Sequence, residues 1–180
     1  MPTSIWQGKP QIKKYIQSKG YKRILDIGVG RGTYGLLFKD ETGYDITGID
    51  AIDYRYKFPY LEEVYTNYYK MDMRETDKIK ELGQFDVIIL GDVLEHISVE
   101  EAQRVIECYK TQCKSLIVAV PYEYPQIVKS NPYENHIQDD LTHEIFNQRY
   151  PGFARYKVYN QHKKEHYGYY IWECGHDRES

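Results

Sequence analysis

Leu25-Asp26-Ile27-Gly28-Val29-Gly30-Arg31-Gly32 is the stretch on which the fold of this 180-residue chain turns. A short apolar run, Arg23–Ile27, meets glycines at alternate positions, and residues 33–40 beyond them have helical character. Glycine lets the backbone turn sharply and come close to a ligand that a side chain would exclude. A helix starting there turns its free amides toward the same place. The spacing of Gly28, Gly30 and Gly32 is GxGxG, whereas a dinucleotide loop puts its third glycine one residue later, where this chain has Thr33. Asp26, ahead of the glycines, is set to accept hydrogen bonds from a cationic amine or to hold the loop.

Outward from that loop the chain alternates short apolar runs with amphipathic segments. Ile12, Tyr15 and Ile16 share one helical face, and Gly20 ends that helix. Strands are expected over residues 44–49, 64–70, 85–90 (FDVIIL) and 115–120, with a short polar helix over 74–82. Continuous apolar runs such as FDVIIL suit strands buried on both faces. Ser98 is placed to cap a helix over 99–113, with Glu100 and Glu101 complementing its dipole. Strands and helices in alternation imply a parallel sheet with right-handed crossovers. In the tail, residues 154–160 and 167–174 flank the polar turn 161–166, too short for a crossover helix, so they must form an antiparallel hairpin. The expected fold is α/β: a doubly wound, mostly parallel sheet closed by that hairpin, in one domain spanning 1–180. Residues 1–20 are read as an N-terminal helix, and Ser4–Lys19 within it, with Trp6, as a partial lid.

Each early strand ends on an acid. Asp50 closes the second, where a carboxylate grips ribose hydroxyls. Asp72 follows the third, within reach of an adenine, and Asp92 follows the fourth. Any one alone reads as a helix cap or loop acid. Together with Asp26 they line the C-terminal edge of successive parallel strands, where open α/β sheets bind ligands.

In order and spacing, LDIGVGRGTYG, GID, MDM, FDVIILGDVLEHI and LIVAVP resemble the motifs of class I (Rossmann-like) S-adenosylmethionine-dependent methyltransferases. The nearest branch is the small-molecule one with a D-V-L-E-H segment. The likeness covers residues 24–121, and Asn131-Pro-Tyr-Glu-Asn-His136 followed by Leu141-Thr142 is similar to a later stretch of that branch. The resemblance implies that Asp26, Gly28, Gly30 and Gly32 hold the methionine part of S-adenosyl-L-methionine and Asp50 its ribose. Asp72 and Met73 then face the adenine, with Ala51 and Ile52 beside it, and Gly91 and Asp92 line the methyl-donor pocket. Residues 51–60 depart from the family, being Tyr-rich and broken by Pro59 where a regular helix is usual.

A methyl-transfer acceptor can also need a base, and His96, His136 and His143 are the candidates. His136, after the fifth strand, is read as the base or acceptor-orienting group. His96 is the second catalytic candidate, although a turn histidine bonded to backbone is the blander reading. His143 follows Thr142, an N-cap, and is expected at the surface, while His162, His166 and His176 carry little signal. Asp92, Glu95, His96 and His136 together look like the divalent-metal cluster of some O-methyltransferases. The Glu-His pair is also common in metal-free relatives, so no metal is expected.

Composition sets the outer limits. A net charge of −3 and a pI near 6.1 argue against a nucleic-acid or anionic-membrane footprint. Cys108, Cys113 and Cys174 lack CxxC spacing and read as reduced thiols of a cytoplasmic protein. No run approaches the roughly 18 apolar residues of a membrane span. The expected activity is methyl transfer to a small molecule or saccharide. The rivals are a catalytically silent nucleoside-binding subunit and, further off, an NAD-dependent oxidoreductase.

Overall fold

The computed structural model describes residues 6–161 and 164–175. Among them seven strands form one sheet: β1 (Arg23–Ile27), β2 (Asp45–Asp50), β3 (Asn67–Lys70), β4 (Phe85–Gly91), β5 (Cys113–Pro121), β6 (Ala154–Gln161) and β7 (Lys164–Glu173). Their order is β3-β2-β1-β4-β5-β7-β6. The first five run parallel, and β7 inserts antiparallel between β5 and β6. This is the doubly wound sheet with a terminal hairpin that the alternating pattern predicts. Residues 162–163 of the expected 161–166 turn lie outside the described residues.

The apolar runs work because side chains alternate across a strand. In β4, Ile88 and Leu90 enter one core layer with Leu25, Leu116 and Trp172. Val87 and Ile89 enter the other with Ile24, Ile117 and Tyr169. The first layer is covered by α4 (Thr76–Glu81), α5 (Val99–Lys110) and α6 (His143–Arg149). The second is covered by α1 (Lys9–Ser18), α2 (Thr33–Leu36) and α3 (Leu61–Val64). Ile12 and Ile16 of α1 are fully buried on the sheet, so this helix serves as a cover for the core. Trp6 is 57% exposed, and residues 4–5 of the expected lid lie outside the described part.

Several boundaries differ from expectation for identifiable reasons. β3 begins at Asn67 because Leu61 and Val64, three residues apart, bury together as one helical turn. The expected 33–40 helix keeps only Thr33–Leu36 as α-helix. α5 stops at Lys110, and Cys113 opens β5, pairing with Phe85. His143 is half-buried, its ring stacked on Tyr170 at 5.8 Å between centroids and its Nδ1 3.1 Å from the Tyr170 hydroxyl. The first turn of α6 packs onto β7, which removes the expected surface position.

The start of α5 is fixed by a reciprocal cap. The Glu101 amide donates to Ser98 Oγ at 3.2 Å, and the Ser98 amide donates to Glu101 Oε2 at 3.0 Å. Ser98→Ala should lower unfolding free energy by about 1 kcal/mol, measurable by chemical denaturation. An unchanged midpoint would show that packing of Val105 and Ile106 alone sets the helix.

Candidate functional site

The sheet winds outward from β1 through β2 and β3 on one side and from β4 through β5 on the other. Loops leaving such a reversal diverge and open a crevice at the C-terminal edge of the strands. A cavity of about 450 Å³ lies there, within the usual range for small-molecule sites. Ile27, Gly28 and Gly30 line it after β1, and Asp50, Ala51, Ile52 and Tyr54 after β2. Residues 71–74 follow β3, while Asp92, Val93, His96 and Ile97 follow β4. Residues 131–134 and Ile137, from the long segment after β5, complete the wall.

Gly28 has φ +77°, and a Cβ there would sit 2.0 Å from Val93 Cγ1. The turn therefore tolerates no side chain. It carries the chain over β2, with the Gly28 amide donating to the Ile49 carbonyl at 2.9 Å. Beyond it the Gly30 amide donates to Asp50 Oδ2 at 2.9 Å, and the Ile52 amide to Asp50 Oδ1 at 2.9 Å. A carboxylate has about four lone-pair sites, so each Asp50 oxygen retains capacity for a donor in the cavity. Burial pushes the Asp50 carboxyl up to about 6 against the opposing effect of those two amides.

Asp26 is 1% exposed and does not line the cavity. It accepts the Tyr65 hydroxyl at 2.5 Å, and burial raises it to about 6 while Tyr65 and the Lys9 charge pull it down. Lys9 is itself buried, with its Nζ 4.3 Å from the Tyr34 ring centroid. The Asp26 position thus anchors the loop from behind, one of the two roles its sequence context allowed. Asp92 adopts φ +57°, a conformation uncommon for a side-chain-bearing residue. Its Oδ1 accepts the Tyr167 hydroxyl at 2.6 Å. Asp72 accepts Arg74 Nε at 2.9 Å and Nη2 at 2.7 Å. Burial pushes its carboxyl up, but these bonds outweigh that and hold it below the ordinary range.

Of the residues singled out from sequence, Gly28, Gly30, Asp50, Ala51, Asp72, Met73, Asp92 and His96 meet at the cavity. Asp26, Gly32 and Gly91 sit behind it. Gly32 precedes α2 against Leu61, and a Cβ on Gly91 would come 2.3 Å from Tyr34 Cε2. The His136 imidazole is buried behind the wall with its Nδ1 2.6 Å from the Tyr124 carbonyl, its ring centroid 4.8 Å from that of His96. Ile52 and Tyr54 reach the cavity from a segment of turns, not from the helix usual at that point. Sequence reasoning missed Tyr54, Arg74, Ile97 and Glu134 as lining residues. Glu134 is 8% exposed and accepts Asn131 Nδ2 at 3.0 Å and the Tyr54 hydroxyl at 3.4 Å. Its signal in the sequence is the Asn131-Pro-Tyr-Glu stretch, where the Asn131 side chain accepts the Tyr133 amide and begins a 3₁₀ turn.

The family described as Methyltransferase domain matches residues 25–115, half of the chain. No curated protein matches the sequence. Among solved structures, the N-terminal domain of EvdMO1 with SAH bound is similar, with a TM-score of 0.69 at 12% identity, over 94% of this chain and 82% of that one. The methyltransferase domain of bacterial CtHen1 gives 0.66 at 16% identity, over 92% and 96%. A SAM-dependent methyltransferase from Archaeoglobus fulgidus gives 0.64 at 18% identity, over 92% of each chain. At these identities the likeness is one of fold.

The buried carboxyls give the folded state a definite pH response. Asp26 and Asp50 are both raised from 3.8 to about 6, so between pH 4 and 6 the folded chain binds more protons than the unfolded one. Stability should therefore fall as pH rises through this window, and Glu95, which burial and Asp92 push well above the ordinary carboxyl range, extends the fall to higher pH. The slope is at most about 1.4 kcal/mol per pH step of one for each group. His96, which burial lowers, opposes this in part. Melting temperatures from pH 4.5 to 7.5 check the slope, and Asp26→Asn should flatten it. An unchanged slope in that variant would show that Asp26 remains ionised throughout.

Proposed function

The chain belongs to the methyltransferase domain family, and from that premise we propose that it moves a methyl group from S-adenosyl-L-methionine to a small molecule or saccharide. The observation that carries this reading is Asp50, whose carboxylate stands at the cavity with both oxygens braced by amides and lone pairs to spare. Two adjacent ribose hydroxyls match that pair of acceptors. The donor's adenine then lies toward Ala51, Ile52, Asp72 and Met73, and its methionine part toward Gly28 and Gly30. Asp26, Gly32 and Gly91 act by shaping this loop from behind, and Asp92 borders the methyl end.

A sulfonium donor is already activated, so the protein's contribution is to hold the acceptor in line with the methyl group and to exclude water. Val93, Ile97 and Ile137 supply apolar wall for that purpose. His96 reaches the cavity beside Asp92 and is the imidazole placed to meet the acceptor, while His136, one layer back, positions it. The missing third dinucleotide glycine at Thr33 supports a sulfur nucleoside over NAD. A net charge of −3 supports a small acceptor over a nucleic acid. Among the described residues no helix is long and apolar enough to cross a membrane. The three free cysteines fit a reducing, cytoplasmic setting.

Calorimetry with S-adenosylmethionine, its demethylated product and NAD tests the donor. Both sulfur nucleosides should bind more tightly than NAD, and the reverse order would overturn the proposal. Asp50→Ala should weaken donor affinity by roughly 1.5–3 kcal/mol, the value of a hydrogen bond to a charged group. Because burial raises the Asp50 carboxyl to about 6, donor affinity should also fall as pH drops from 7 to 5, and this dependence should vanish in the variant.

The acceptor side is read separately. His96→Ala should leave donor affinity nearly unchanged while turnover drops by about 10²–10⁴-fold. A variant that instead loses donor binding and turnover together would place His96 in the donor site.

A further inference from the structure

Lys9 is the first residue of α1, and its side chain is fully buried. Its Nζ stands 4.3 Å from the centroid of the Tyr34 ring. That ring packs over the end of β4, where a Cβ on Gly91 would come 2.3 Å from Tyr34 Cε2. Burial lowers the Lys9 ammonium from its ordinary value, and two carboxylates oppose this, first Asp92 and then Asp26. Asp92 also lines the cavity, whereas Lys9 does not. The lysine thus places a cation one layer behind the Gly91–Asp92 wall.

Its position is fixed from β7. A Cβ on Gly8 would come 2.2 Å from Tyr169 Cε2, so the start of α1 presses on that strand. The Tyr169 hydroxyl donates to the Gln7 carbonyl at 2.8 Å, and the Tyr167 hydroxyl donates to Asp92 Oδ1 at 2.6 Å. Two neighbouring tyrosines therefore hold the base of the lysine and the acid beside it. Docking of α1 does not call for the charge, because Ile12 and Ile16 already bury the helix on the sheet. An apolar side chain commonly serves as well as a buried ion or better where stability alone is at stake.

We infer that Lys9 sets the electrostatic field at the methyl end of the donor site and favours loss of the sulfonium charge. This rests on the methyl-transfer reading. In that step the sulfur–methyl bond breaks with its electron pair staying on sulfur. A lone pair of the acceptor forms the new bond to carbon, and the acceptor's proton passes to a base. Positive charge on sulfur therefore shrinks toward the transition state. A fixed cation behind the wall disfavours the charged ground state more than the transition state, and only such a difference speeds the reaction. Asp92 acts with the opposite sign: it attracts the cationic donor, and Lys9 limits how tightly that charge is held. Lys9 is a positioning residue, acting through the field and not by contact.

The test compares S-adenosylmethionine with its demethylated product, which differ by one methyl group and its charge, by calorimetry on the full chain. Lys9→Met removes the charge and nearly keeps the length of the side chain. It should shift the ratio of affinities toward the charged donor by about 3–10-fold. Lys9→Arg keeps the charge and should keep the wild-type ratio. Equal losses for both ligands in Lys9→Met would tie the lysine to the fold or to a part that both ligands share, and would overturn the inference. Lys9→Gln is a second neutral variant. If neither neutral variant folds while Lys9→Arg does, the lysine serves stability and the inference falls too. Wild-type chain that binds neither ligand removes the methyl-transfer reading itself, whereas binding of both with an unchanged ratio in the neutral variants removes only the role given to Lys9.

Discussion

The Asp50 carboxylate accepts the amides of Gly30 and Ile52, and through them it joins the loop leaving β1 to the loop leaving β2. This joint exists because β1 and β2 are in register, Ile27 beside Ile49, so both chains leave the sheet at the same height. Gly28 then crosses above Ile49 with no side chain to lift it. If that crossing opened, the glycine loop would lose its anchor, and the cavity its floor. A single half-buried acid therefore sets the distance between the two halves of the proposed donor site.

Holding acids this way costs stability, and the chain accepts the cost at several places. Asp26 and Asp50 are both buried enough to be raised to about 6. Burial and the nearby Asp92 also push Glu95 well above the ordinary range. Lys9, buried from α1, offsets part of this by lying in the field of Asp26 and Asp92. An N-terminal helix that looks like a cover on the sheet thus also brings a cation to the back of the site. Such buried charge gathers at the strand edge, whereas the remaining core layers are apolar. That distribution is the one expected where a fold keeps strain and desolvation at a functional edge.

The proposed acceptor side is built differently. Its wall comes from a segment between β5 and α6 that has one short 3₁₀ turn and is held by side chains bonding to backbone. Gln138 donates from Nε2 to the Leu94 and Ile97 carbonyls at 3.0 Å each, and Gln126 donates to the Glu134 carbonyl at 2.7 Å. These contacts tie the segment to the 94–97 turn, so His96 and His136 come together without a shared strand or helix. Loops carried on a rigid sheet can vary in this way without disturbing the scaffold.

Much of the scaffold could be read directly. Alternating apolar runs and helices, the glycine spacing and the short tail turn each report local physics, so the sheet, its hairpin and the acids at its edge were all legible in the chain. Boundaries were less so, because Val64 and Cys113 suit either of two elements and packing chose between them. Which candidates face the cavity could not be read at all. Asp26 and Asp50 are equivalent in kind along the chain and share one face of the sheet, yet Asp26 lies inside β1 beside Gly48, where Tyr65 covers it, and Asp50 ends β2 at the crevice. The same limit applies to His136 and Glu95, 41 residues apart in sequence, whose meeting depends on how the segment after β5 folds back. Local chemistry is written in the order of residues; the direction in which each side chain points, and what it meets there, is decided only when distant segments pack.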